Sequence, residues 1–243
     1  MLQLKKTKKM QNEFLWLVML LANFLLIILA YRLFGKWGLI IWIPISVIVA
    51  NIQVIQTVEF FGLVATLGNI VYASSFLVTD ILSENYGKEE AKKAVWIGFF
   101  SLISMTVLMN LSLLFIPLEG DEFAGVAHEA TRTIFSLMPR IAIASLAAYL
   151  LSQRHDIWAY HFWRKRFPKD SQIWIRNNLS TSVSQLIDST VFVLIAFLGV
   201  FETDVMWEIF ISTYFLKFIV AAADTPFLYW GKRIFKKGKF YLD

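Results

Sequence analysis

Residues 177–201 read NNLSTSVSQLIDSTVFVLIAFLGVF, and this stretch decides the fold. Its second half is apolar enough for a bilayer. Its first half sets Asn177, Thr181, Ser184 and Asp188 at helical spacing, with Gln185 beside them, so that they form one polar stripe. A carboxylate well inside a membrane-length helix costs roughly 2.5–3.5 kcal/mol on insertion scales, and it usually faces a bundle interior or a wet cavity. The stretch therefore predicts a membrane helix bundle built to bind or move something polar.

Composition agrees. The 243 residues are 58% hydrophobic and 17% charged, whereas soluble domains run near ~45–50% apolar. Seven apolar runs are visible, at about 14–34, 38–57, 61–81, 92–116, 132–153, 179–200 and 206–230, most of them near the ~20 residues that span a bilayer. This is an all-α, polytopic, single membrane domain over 1–243. Gly62 and Gly68 open the third run, where a re-entrant or broken helix would be tolerated beside a cavity. Lys5, Lys6, Lys8 and Lys9 precede the first run in the manner of a signal peptide. The run is too long for a typical signal and lacks a small-residue cleavage site, so it reads as a retained helix.

The net charge of +5 sits in loops and tails rather than on a folded face, which argues against nucleic acid as a partner. Lys88, Lys92 and Lys93 follow the third run, and Arg154, Arg164, Lys165, Arg166, Lys169 and Arg176 fall between the fifth and sixth. Lys232, Arg233, Lys236, Lys237 and Lys239 follow the last. The intervening loops are acidic, with Glu119, Asp121, Glu122 and Glu129, then Glu202, Asp204 and Glu208. Lys and Arg mark the cytoplasmic side of a membrane protein, which predicts a multi-pass inner-membrane protein with a cytoplasmic C-terminus. Seven crossings would then put the basic N-terminal tail outside, and the side of the N-terminus stays open.

Several constellations stand out. Asp188 and Lys217 each lie midway along neighbouring runs, where a pair would reduce each other's desolvation cost. A pair that merely locks two helices, or a snorkelling lysine, would look the same. Asp80 and Glu84 are four apart and share a helix face that Gly87 is placed to end. Arg140 follows Pro139 in a run rich in Ala and Ser, and either lines a polar path or anchors at the interface. Asn51, Gln53 and Gln56 bring amides to bilayer depth, and Asp224-Thr225-Pro226 interrupts the last run. Enzymatic signatures are missing: there is no HExxH, GxSxG, Walker A or GxGxxG, and no Cys. No enzyme activity, cofactor or metal is expected.

The stretches TDILSENYGKEEAKKAVWIGF (79–99), RIAIASLAAYLLSQRHDIWAYHFWR (140–164) and WIRNNLSTSVSQLIDSTVFVLIAF (174–197), with the lysine-bearing last helix ending in DTP (217–226), resemble the queuosine precursor transporter family. That family is also called the YhhQ or VUT family of vitamin-uptake transporters. The resemblance covers about residues 45–235. It implies import of 7-cyano- or 7-aminomethyl-7-deazaguanine for tRNA modification, by a six-helix core over 38–230 preceded here by an extra helix at 14–34. Ser83-Glu84 departs from the family's usual Asn-Glu but keeps the carboxylate. A deazaguanine offers adjacent N–H donors to a carboxylate, a carbonyl to Lys, Arg, Asn or Gln, and a flat face to aromatic rings. On this reading Asp188 takes the donor edge, Gln185 and Asn178 lie nearby, Lys217 keeps the carboxylate ionised, and Asp80, Glu84, Arg140 and Asn51 are further contacts or gate residues. Another purine-like or vitamin substrate, or a non-transporting scaffold in which the polar residues are glue, remains the alternative. Oligomeric state and any coupling partner are left open.

Overall fold

The structure, a computed structural model, describes residues 2–60, 63–135, 139–199, 202–238 and 240. Gly62 and Lys239 lie outside the described residues. Helix α1 (Leu2–Gln53) is two helical arms joined at Gly35, whose φ of 56° and ψ of −139° break the helix. Such a backbone suits a residue without a Cβ. The arms, 2–34 and 36–53, fold back on each other. A Cβ on Gly38 would sit 2.1 Å from the carbonyl oxygen of Ala30, so the arms touch backbone to backbone. The Asn12 amide donates to the Glu59 carbonyl at 3.1 Å, where the chain returns beside its start.

The third run is not one helix. Strands β1 (Thr57–Phe60) and β2 (Leu63–Thr66) pair antiparallel, with Thr57 opposite Thr66 and Phe60 opposite Leu63. The segment is rich in Thr, Val and Phe, which favour strands, and a short apolar run cannot be assigned by periodicity alone. Helix α2 (Asn69–Asn85) starts only after this hairpin. Helix α3 (Lys88–Ser112) follows Gly87, which ends α2 with a φ of 93°. A short exposed helix α4 (Glu122–Phe135) occupies what the sequence marked as an acidic loop.

Helix α5 (Pro139–Arg166) and helix α6 (Ile173–Phe197) extend into the expected basic loop, leaving a short link with a 3-10 turn at Asp170–Gln172. Arg154 is thus mid-helix, and Arg176 lies inside α6. Helix α7 (Thr203–Lys237) runs on through Pro226 rather than breaking at Asp224. Charged residues on an interior face or at a helix end lower local hydropathy without stopping the helix.

Side-chain register fixes the directions. Tyr72, Asp80 and Glu84 on α2 meet Asp188, Thr181 and Arg176 on α6, an antiparallel pairing. Lys217 and Lys232 on α7 meet Tyr72 and Glu84, a parallel one. Gln153 and Tyr160 on α5 meet Ser75 and Glu84 in the same sense. The first arm runs with α2, through Asn23 to Ser74 and Tyr31 to Asn85. The second arm runs with α3, through Lys36 to Glu90 and Ile43 to Gly98. The long helical stretches therefore alternate in direction along the chain.

The outer surface is apolar, with Phe100, Leu108, Trp158 and Ile211 all exposed. Among the described residues, four helices are long and apolar enough to cross a membrane: Gln11–Gln53, Lys88–Ser112, Asp170–Phe197 and Met206–Lys237. Helix α2 is short, at 17 residues, and α5 carries polar and charged side chains along its length. An aliphatic and aromatic core, including Phe24, Tyr31, Ile43 and Phe76, joins α1, α2, α3 and α7. The space between α2, α5, α6 and α7 is polar instead.

Candidate functional site

The stripe on α6 faces inward as expected. Asn177, Ser180, Thr181, Ser184, Gln185, Asp188 and Ser189 are all buried. With α2, α5 and α7 they build three polar layers stacked along the bundle.

The first layer holds Asp188, which is 1% exposed. One carboxylate oxygen receives the Tyr72 hydroxyl at 2.5 Å and the Ser152 hydroxyl at 3.1 Å. The other receives the Lys217 ammonium in a buried ion pair. That ammonium also lies 4.9 Å from the centroid of the Tyr72 ring. A cavity of about 40 Å³ opens beside this layer, lined by Asn51, Asn69, Tyr72, Phe192, Asp188 and Lys217. Gln185, three residues from Asp188 on α6, is buried with neither amide atom hydrogen-bonded. Unpaired buried amides cost about 1–3 kcal/mol, so this one is suited to a ligand or water.

The middle layer is acidic. Asp80 on α2, Asp156 on α5 and Asp224 on α7 are all fully buried. Thr181 donates to Asp80 at 3.2 Å, and Asn177 donates to Asp224 at 2.8 Å. The carboxyl groups of Asp80 and Asp156 meet each other.

The third layer is a clamp. Glu84 receives Arg176 and Lys232, each at 2.7 Å, and the Tyr160 hydroxyl at 2.9 Å. Arg164 donates to the carbonyls of Ser83 and Glu84, and Arg176 to those of Phe167 and Lys169. One carboxylate thus ties α2, α5, α6 and α7 together at the end where α7 finishes.

Of the expected site residues, Asp188, Lys217 and Asn51 come together at the cavity, with Gln185 in the adjoining interior. Asp80 and Glu84 share the inward face of α2 but occupy the other two layers. Asn178 is not near Asp188. It lies ten residues away on α6 and donates to the Trp174 carbonyl at 2.8 Å and the Thr225 hydroxyl at 3.0 Å. Arg140 stands at the opposite end of the bundle, exposed, donating to the Ile195 and Leu198 carbonyls at the end of α6. It caps a helix there and does not face the cavity.

Sequence reasoning missed Tyr72, Ser152, Asp156 and the inward role of Arg176. Ser152, Asp156 and Tyr160 recur every four residues, a signal hidden by ending the fifth run at 153.

Residues 66–231 match the model of the family described as "Putative vitamin uptake transporter". A "Probable queuosine precursor transporter" of Bacillus subtilis (strain 168) is 44% identical over 225 residues, covering 93% of this chain and 96% of that protein. A protein of the same description from Haemophilus influenzae is 28% identical over 138 residues, covering 56% of this chain and 54% of its own. No solved structure matches the chain.

Proposed function

The chain belongs to the vitamin uptake transporter family, and from the chemistry of the Asp188 layer we propose that it imports queuosine precursors, the 7-cyano and 7-aminomethyl 7-deazaguanines. The observation that carries this reading is a buried carboxyl acceptor on a cavity wall, flanked by Lys217 and an aromatic ring. The N–H donor edge of the base meets Asp188. Its carbonyl meets Lys217, Gln185 or Asn51, and Tyr72 or Phe192 takes its flat face. The similarity to the Bacillus subtilis probable queuosine precursor transporter supports the same substrate class.

The cavity, at about 40 Å³, has room for a few waters at ~10–15 Å³ each. A fused bicyclic base needs more, so the helices around Asp188 separate during the cycle. The cavity lies on the side of Asp188 away from the Glu84 clamp, and the clamp shuts the other side. With the basic end of α7 in the cytoplasm, this is a state closed toward the cytoplasm. That orientation implies seven crossings, a six-helix core after an extra first helix, and an N-terminus outside. Asp80 and Glu84 then serve the cytoplasmic gate, while Arg140 and Asn178 hold helices together.

The test is complementation in cells that lack both precursor synthesis and their own importer. Expression should restore queuosine in tRNA at low external precursor. Membrane-inserted protein without restored queuosine would show the substrate to be wrong.

A further inference from the structure

Among the described residues, the middle layer has no counter-ion. Asp80, Asp156 and Asp224 make no ion pair among the described residues. The cations that face this interior are engaged elsewhere. Lys217 on α7 pairs with Asp188. Arg176 on α6 and Lys232 on α7 pair with Glu84, and Arg164 on α5 holds the end of α2. The remaining titratable neighbours are also committed: Tyr160 donates to Glu84, His155 bonds Ser184 at 3.0 Å, and His161 bonds the Ile157 carbonyl at 2.9 Å.

Hydroxyl donors are short as well. Ser180, Thr181 and Ser184 are within reach of Asp156, but each hydroxyl has a single hydrogen, for which Asn177 O, Asp80 and Ser180 O also compete. The unsatisfied buried atoms of the layer's own Asp and Asn side chains are all acceptors: both oxygens of Asp156, one each of Asp80 and Asp224, and the side-chain oxygen of Asn177. Asn177 is fully buried and aimed into the cluster, since its amide nitrogen holds Asp224. Two carboxyls in contact, with no cation and too few donors, cannot both be ionised. What the layer lacks is a hydrogen. Among the described residues no group has the ligand set of a metal site.

We propose that the Asp80–Asp156 pair, with Asp224 and Asn177, is a proton-binding site, and that import is driven by the proton it carries. The proposal rests on the transport reading above. Asp80 and Asp188 face each other's helices through Thr181 and Tyr72, and Thr181 to Asp188 spans seven residues of α6, about 10 Å. One proton enters from the side of the cavity together with the base. It leaves when the Glu84 clamp parts and cytoplasmic water reaches the pair.

The experiment uses the full chain in proteoliposomes, with radiolabelled 7-cyano-7-deazaguanine as probe and a pH-sensitive dye inside. Acid outside should drive accumulation, and adding the probe should acidify the lumen. Asp156→Asn should retain counterflow exchange of the probe and lose pH-driven accumulation. Infrared spectra of the wild type at neutral pH should show a protonated carboxylic acid band that is missing in Asp156→Asn. Net uptake of the probe without proton entry, or accumulation driven by a sodium gradient at equal pH, overturns the proton site and leaves the substrate reading standing. An absent acid band overturns it without reference to transport, which covers a variant that fails to insert. No exchange of the probe at all overturns the substrate reading, and this proposal falls with it.

Discussion

Replacing Asp188 by Asn separates recognition from helix locking. The amide oxygen of Asn still accepts the Tyr72 and Ser152 hydroxyls. Its NH2 group, however, faces the Lys217 ammonium, donor against donor. Lys217 is 3% exposed and has no second carboxylate among the described residues. Breaking one half of a buried pair costs about 3–5 kcal/mol, a large share of the ~5–15 kcal/mol that holds a domain folded. Asp188→Asn should therefore lower membrane abundance several-fold. Adding Lys217→Met removes the stranded charge and should restore abundance. Uptake should stay low in the double variant. Lost charged contacts to the donor edge of the base are worth about 1.5–3 kcal/mol, or roughly one to two decades in apparent affinity at about 1.4 kcal/mol per decade. The assay is initial uptake of labelled precursor, normalised to protein in the membrane by quantitative immunoblot. Full normalised uptake by the double variant would refute a recognition role and leave only a lock between α6 and α7.

The Glu84 clamp predicts that Glu84→Gln strands buried Arg176, lowering stability by about 3–5 kcal/mol; a thermal melt in detergent unchanged from wild type would contradict this. At the turn of α1, Gly38→Val should abolish a stable monomer, because its Cβ would meet Ala30 backbone at 2.1 Å and backbone cannot swing aside. Size-exclusion profiles measure that, and a monodisperse peak at wild-type yield counts against it. Lys237→Cys, the single thiol in a chain without cysteine, should resist impermeant maleimide in intact cells and react after permeabilisation. Labelling from outside would reverse the proposed orientation.

Hydropathy made the apolar runs, the inward stripe of α6 and the Asp188–Lys217 pair legible in the sequence. It failed where polar residues sit inside helices. Arg176 looked like a loop cation, yet its charge is cancelled by Glu84 on a helix some ninety residues earlier. Asp156 was hidden for the same reason, since its surroundings are assembled from α2 and α6. The hairpin at 57–66 shows the opposite failure. Its apolar residues are as hydrophobic as a helix would need, and only β-branching and the glycines around it argue for strands. Asn178 is one residue from Asn177 of the inward stripe, and a one-residue step turns a helix by about 100° and exchanges an inward face for a lateral one.

Helices α2 and α6 each contribute to all three layers. On α2, Tyr72, Asp80 and Glu84 are spread over twelve residues, about 18 Å of rise. A hydrogen-bonded helix behaves as a stiff rod over that distance, so it transmits a tilt as a camshaft does. Whatever displaces Tyr72 also displaces Asp80 and Glu84, with no relay of separate side-chain movements between them. Ligand entry, protonation and release of the clamp are then phases of one mechanical event. Reporter groups placed at each layer should relax with a single shared rate constant, and three distinct constants would mean that the rod bends.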